Sequence, residues 1–136
     1  MKVVVVAVDR LRPPYADDVQ QYQRLLARHV RVELIEVRED EQVARRIPER
    51  AFVSALDAEG DALDSVGFSR FLENRRMEGR DLCFVIGGPF GHRGETKADH
   101  LLSLGRMTLP HQLARVVLLE QLFRAHKILA GEPYHY

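Results

Sequence analysis

The stretch Val3-Val4-Val5-Val6-Ala7-Val8 is apolar at every position. A strand with one wet face alternates apolar and polar residues, so a strand with no polar position must be covered on both faces. β-branched side chains fit such a pleated, buried surface. The run therefore predicts a central, parallel strand, and Leu82-Cys83-Phe84-Val85-Ile86 repeats the pattern. A sheet built on such strands needs helices over it, and the rest of the chain offers them. Tyr15, Val19, Tyr22, Leu25, Leu26 and His29 fall on one helical face. Asp17 and Asp18 suit the positive end of that helix's dipole. Residues 31–37 predict a second strand. Residues 51–56 predict a third, ended by turn chemistry at Ala55-Leu56-Asp57-Ala58-Glu59-Gly60. Asp64 or Ser65 can cap a helix carrying Phe68, Phe71 and Leu72 on one side. Alternating strands and helices imply an α/β fold, a three-layer sandwich with a mostly parallel sheet. The 136 residues predict one domain over 1–136.

Charge narrows the partners. Lys and Arg number 20, as do Asp and Glu, so formal net charge is zero. Nothing global advertises nucleic acid or membrane, and RNA binding would have to rest on a local patch. The single cysteine, Cys83, excludes an internal disulfide framework, and its place in an apolar strand predicts a structural thiol. No apolar run approaches the roughly 20 residues of a membrane span. The N-terminal valines stop at Asp9 without a cleavage pattern, so a cytoplasmic protein is expected.

Ligands of open α/β sheets bind beyond the carboxyl ends of the strands. Three loops qualify, after Leu56, after Ile86 and after Leu104. The glycines of Gly87-Gly88-Pro89-Phe90-Gly91 permit positive φ and close approach of a ligand. The loop is neither a Walker A nor a dinucleotide fingerprint, and it can equally be a tight strand-to-helix turn. In Gly105-Arg106-Met107-Thr108-Leu109-Pro110, Thr108 can cap the following helix and Pro110 fits its first turn. Free N–H groups there can bind a carboxylate or a ring nitrogen. Met107 and Leu109 can hold a flat ring, or simply be core. In the long helical run 111–129, Val116-Val117-Leu118-Leu119 covers the whole circumference. Such a helix is buried on both sides, the second side by a partner subunit. Arg115, Glu120 and Arg124 within it are then interface salt bridges or site residues. The charged segment 39–50 predicts a short exposed helix around Val43 and Ile47. Its Arg45, Arg46 and Arg50 are either an RNA-facing patch or a solvated face. His111, His126 and His135 match no zinc spacing, and Ser69 and Ser103 lack triad context. Neither a metal site nor covalent hydrolysis is expected.

Several stretches together carry a family resemblance. They are Phe84-Val85-Ile86-Gly87-Gly88, Leu102-Ser103-Leu104, Met107-Thr108-Leu109-Pro110-His111, Leu119-Glu120-Gln121-Leu122-Phe123-Arg124 and Gly131-Glu132-Pro133-Tyr134-His135. End to end, the chain resembles the bacterial large-subunit ribosomal RNA pseudouridine-N3 methyltransferases, a small single-domain branch of the SPOUT methyltransferases. The resemblance implies a C-terminal trefoil knot, an exception to the rule that chains avoid knots. It implies a homodimer packed through the long helix. It implies S-adenosylmethionine bound by Leu56, Gly87, Leu104, Gly105, Arg106, Met107, Thr108 and Leu109. The reaction it implies is methyl transfer to N3 of a pseudouridine in helix 69 of 23S rRNA, on the assembled ribosome. Its candidate catalytic residues are His111, Arg124, Tyr134 and His135. Of these, His135 would accept the N3 proton, Arg124 would stabilise charge or hold a phosphate, and Tyr134 would stack on the base. The tail would complete the partner subunit's site. Arg10, Arg12, Arg93, Lys97, Arg106 and Arg124 are the expected RNA contacts. Some features depart from the family pattern: a shortened stretch between Val37 and Ala51, a trimmed segment at Gly91-His92-Arg93-Gly94-Glu95, Gly105 in place of serine, and a terminal Tyr136. A transfer RNA target, or a non-catalytic ribosome-binding relic, are the competing expectations.

Overall fold

The computed structural model describes residues 1–88 and 98–134. Five parallel strands form one sheet, in the order β2-β1-β4-β3-β5. The strands are β1 (Lys2–Val8), β2 (Arg31–Val37), β3 (Phe52–Ala62), β4 (Leu82–Ile86) and β5 (His100–Ser103). The all-apolar run is β1, and it pairs with β2 on one side and β4 on the other. Alternate side chains enter two separate cores. Val3, Val5, Ala7, Phe84 and Ile86 pack under α1 (Tyr15–Leu26), α3 (Ser65–Met77) and α4 (His111–Leu129). Val4, Val6, Val8, Cys83 and Val85 face the other way. Each fully buried valine contributes roughly 1.5–3 kcal/mol, so neither face of β1 can be left wet. Burial pushes the Cys83 thiol up to about 12, as a structural cysteine requires.

The second face is thinly covered among the described residues. The segment 39–50 forms a 3-10 turn (Asp40–Gln42) and a single helical turn, α2 (Val43–Arg46). A capping box between Glu39 and Gln42 starts it. Val43 is wholly buried, and a Cβ placed on Gly88 would come within 2.8 Å of it. This packing seats the turn on the end of β4.

Two expectations need correction. The third strand does not stop at the turn chemistry of residues 55–60. Leu56 and Asp61 both lie opposite Leu102, so residues 57–60 form a bulge and the strand resumes alongside β5. Gly60 permits this: a Cβ there would sit 2.6 Å from the Leu101 carbonyl. Thr108 does not cap α4. Pro110 occupies the cap with extended ψ, makes no side-chain cap bond, and its carbonyl accepts from the Ala114 N–H at 2.9 Å. Within one chain the long helix keeps one side partly exposed, the side for which a partner subunit is expected. Leu118 and Leu119 are buried, whereas Val116 and Val117 are half-exposed. At α3, where two caps were open, Asp64 takes the role, accepting from the Gly67 N–H at 2.7 Å.

Candidate active site

The ends of β3, β4 and β5 and the start of α4 enclose a cleft of about 150 Å³. Leu56, Asp57 and Ala58 form one wall from the bulge of β3. Ile86 and Gly87 form the floor, while Leu102, Leu104, Gly105, Met107, Thr108 and Leu109 form the opposite wall. His111 and Ala114 close it from the first turns of α4. Of the eight residues expected to hold a cofactor, seven line this cleft; Arg106 does not, and is exposed.

Gly87 has positive φ (85°), and a Cβ on it would lie 3.1 Å from both the His111 ring and Val8. Backbone conformation and space both call for glycine there. Gly105 likewise has positive φ, at 137°. The backbone polar groups of Arg106, Met107, Thr108 and Leu109 have no hydrogen-bond partner among the described residues. Backbone groups left open beside a cleft lined with leucines suit the edge and faces of a flat heterocycle.

Two residues that shape this cleft do not stand out in the sequence as parts of it. Ser103 draws notice there as a nucleophile without a triad and as part of the stretch Leu102-Ser103-Leu104, with no role of its own. In the fold it is buried, and its Oγ lies 3.0 Å from the Ala58 carbonyl and 2.9 Å from the Gly105 carbonyl, while accepting from the Gly105 N–H at 3.1 Å. It therefore ties the bulge to the opposite loop. His100 bridges the bulge from outside. Its Nδ1 is 2.9 Å from Ser54 Oγ, before the bulge, and its Nε2 is 2.9 Å from Asp61 Oδ2, after it. Ser54 is fully buried, so this Ser–His–Asp chain is a clasp rather than a nucleophilic triad. The signal for both lies in pairings across the sheet, which a single sequence does not display.

A second cavity, of about 340 Å³, adjoins the cleft behind Leu104 and Gly105. Leu63, Phe68, Val117 and Gln121 contribute to its lining.

The remaining catalytic candidates lie elsewhere. Glu120 accepts from Arg124 at 2.9 Å and from the Tyr134 hydroxyl at 3.2 Å. The Arg124 guanidinium sits 4.8 Å over the Tyr134 ring, which packs edge-on against Phe123. Burial, with the Glu120 carboxylate beside it, pushes the Tyr134 hydroxyl up to about 12, so it stays a neutral donor. At 1.5 Å per residue, 13 helical residues place Arg124 about 20 Å from His111. Within one chain the cleft and the Arg124–Tyr134 cluster do not meet. His135 lies outside the described residues, as do Arg93, Lys97 and Tyr136. Among the described residues no group of three or more His, Cys, Asp or Glu is placed to hold a metal, and no helix is long and apolar enough to cross a membrane.

The site is thus a glycine-floored cleft at the carboxyl edge of an α/β sheet, closed by an extended loop and a C-terminal helix. The chain belongs to the SPOUT methyltransferase family: residues 1–135 match the family described as "Predicted SPOUT methyltransferase". Its relatives include proteins named "Ribosomal RNA large subunit methyltransferase H". That of Anaeromyxobacter sp. (strain K) is 42% identical, that of Stenotrophomonas maltophilia 39%, and that of Carboxydothermus hydrogenoformans 37%. Each alignment covers 99% of both proteins.

Proposed function

We propose that this chain is an S-adenosylmethionine-dependent methyltransferase acting on large-subunit ribosomal RNA, as a homodimer. The observation that carries this is the cleft itself. Its open backbone groups at Met107, Thr108 and Leu109 lie among the apolar walls of Leu56, Leu104 and Leu109, over the glycine floor at Gly87. Those residues suit an adenine ring, and Asp57 lies on the same wall within reach of a ribose. The wider cavity behind Gly105 offers room for the rest of a bent cofactor. The names of the relatives support ribosomal RNA as substrate.

When bound, the cofactor supplies a methyl group on a cationic sulfur, which moves to a nitrogen such as pseudouridine N3 as that nitrogen gives up its proton. This chain's residues must then orient the base, hold charge on its carbonyl oxygens and take up the proton. Arg124 is the charge-holding group and Tyr134 the stacking ring. His135 is the proton acceptor, neutral imidazole being available near pH 7. Arg124 and Tyr134 are about 20 Å from His111 along α4, so the tail of a second copy completes each site. The half-exposed Val116 and Val117 give the second copy an apolar seat.

The test is transfer of labelled methyl from S-adenosylmethionine to ribosomes prepared from a strain lacking the modification, with mapping of the methylated nucleotide. Label on a pseudouridine of helix 69 in 23S rRNA is expected. Label on transfer RNA instead would move the target, and failure to bind S-adenosylmethionine would leave a ribosome-binding relic.

A further inference from the structure

We infer that a hollow bounded by Arg38, Arg45 and Arg46 is an anchor for the phosphodiester backbone of the RNA substrate. This rests on the reading above and adds a substrate-binding surface distinct from the cofactor cleft.

The hollow is about 290 Å³ and lies beyond the end of β2. Arg38, Arg45 and Arg46 stand around it, all exposed. None of the three makes a side-chain hydrogen bond or ion pair among the described residues. Arg46 has Glu33 as an electrostatic neighbour, and that carboxylate already pairs with Lys2. The acidic residue at the rim, Glu36, is engaged by Arg115 at 2.7 Å and by the Leu11 N–H at 2.8 Å. Three guanidinium groups therefore face solvent around a concavity whose one carboxylate is occupied elsewhere. Guanidinium forks match the paired oxygens of a phosphate.

The walls are fixed by their own bonds and packing. The Gln42 side chain accepts from the N–H groups of Arg38 and Glu39, at 2.9 and 3.0 Å. Val43 is buried against Gly88. That packing also locates the hollow, because Gly87, the adjacent residue, floors the cleft. Between hollow and cleft runs the loop after β1, with exposed Arg10 and Arg12. The α4 side chain of Gln112 pins that loop, accepting from the Arg12 N–H at 2.9 Å and donating to the Arg10 carbonyl at 2.6 Å. Five arginines thus lie along the carboxyl edge of the sheet, leading to the cleft. A chain of zero net charge has no global field to hold a polyanion, so phosphate binding must come from such a local file.

The experiment uses the full chain carrying Arg38→Gln, Arg45→Gln and Arg46→Gln together, with Arg28→Gln, Arg70→Gln as a control that removes charge at two exposed positions on other faces. Binding to unmodified ribosomal RNA and KM for ribosomes are measured over a range of salt, alongside the Kd for S-adenosylmethionine. The hollow variant is expected to bind RNA about ten-fold or more weakly. Its log–log salt slope should become shallower by about 0.7–0.9 for each phosphate no longer neutralised. Cofactor affinity should not change, and the control variant should match wild type. Unchanged RNA affinity and slope, in a wild type that methylates ribosomes, would overturn this inference alone. So would equal weakening in the control. A wild type that binds the cofactor but neither binds nor methylates ribosomal RNA would overturn this inference and the proposed substrate together.

Discussion

At the scale of the residue, Arg115 shows how one buried charge organises the site's surroundings. It is 2% exposed, yet it sits in the middle of an apolar helix face. Its guanidinium meets Glu36 at 2.7 Å, the Val8 carbonyl at 2.9 Å, and the carbonyl of Asp9, which has positive φ. One side chain of α4 thereby ties the ends of β1 and β2 together beneath the arginine-bearing loop. Replacing it with methionine keeps much of the packing and strands the two carbonyls and the carboxylate. Glu36 is partly solvated, which softens the loss, so the cost should be about 2 kcal/mol, read from the urea midpoint at constant slope. The sequence could announce that a charge among Val116, Leu118 and Leu119 needs a partner. It could not name Glu36, because that pairing exists only where Arg115 of α4 reaches the ends of β1 and β2. His126 gives a pH dependence. Its Nδ1 lies 2.8 Å from the Leu122 carbonyl, to which it donates, and burial lowers its pKa below the ordinary 6.5. The unfolded chain therefore binds more protons between the two values. Stability should be full above pH 6.5 and fall as pH drops through the folded pKa. In His126→Gln, urea midpoints measured from pH 7 to 5 should lose this component of the slope.

At the scale of the element, β3 and its bulge decide the shape of the cleft. The turn-forming residues 57–60 were legible as chemistry that leaves a ladder. What they do not encode locally is that the chain rejoins the same neighbour, since Asp61 and Ala62 are held by β5, about 40 residues further on. β1 and β4 were legible almost to the residue, because burial on both faces writes itself into an unbroken apolar run, and β2 was legible from the alternation of Val32 and Leu34 with charged residues. The bounds of α4 were legible to the residue, but its cap was misread, because Thr108 has the right type for a cap and Pro110 took its place. The His100 clasp yields a test at this scale. His100→Ala removes both hydrogen bonds across the bulge, and the ring's packing on Phe71 at 4.7 Å. The bulge carries Asp57 and Ala58 into the cleft wall. Calorimetric titration should show the Kd for S-adenosylmethionine rising about ten-fold, equivalent to about 1.4 kcal/mol. Tm should fall by only a few degrees, as two part-exposed bonds predict. An unchanged Kd would make the clasp a stability feature alone.

At the scale of the whole molecule, α4 is both the shared element and the obstacle. Its first turns close the proposed cofactor cleft, and its later turns carry Glu120 and Arg124 with Tyr134 docked on them. A straight helix cannot fold the second set back onto the first, so in one chain the proposed cofactor cleft and the proposed catalytic cluster stand about 20 Å apart. A symmetric dimer solves this if each tail serves the other subunit's cleft. The sequence had the parts, since the motifs around Met107-Thr108-Leu109 and Gly131-Glu132-Pro133-Tyr134 both stood out. Their separation was legible too, because the helical run 111–129 between them has the length of the observed α4. The consequence can be tested by complementation. Gly87→Val places a branched side chain where φ is +85° and where even a Cβ meets His111 and Val8 at 3.1 Å, so it should abolish cofactor binding. Arg124→Ala removes the proposed charge-holding group and leaves the cleft untouched. Each homodimer should be inactive. In a mixed dimer one site inherits both defects and the other neither. Randomly assembled mixtures contain half mixed dimers, each with one of two sites intact, so about a quarter of wild-type activity should return. If each chain built its own site, mixing would restore nothing, and the tail would have to reach its own cleft by a rearrangement of the end of α4.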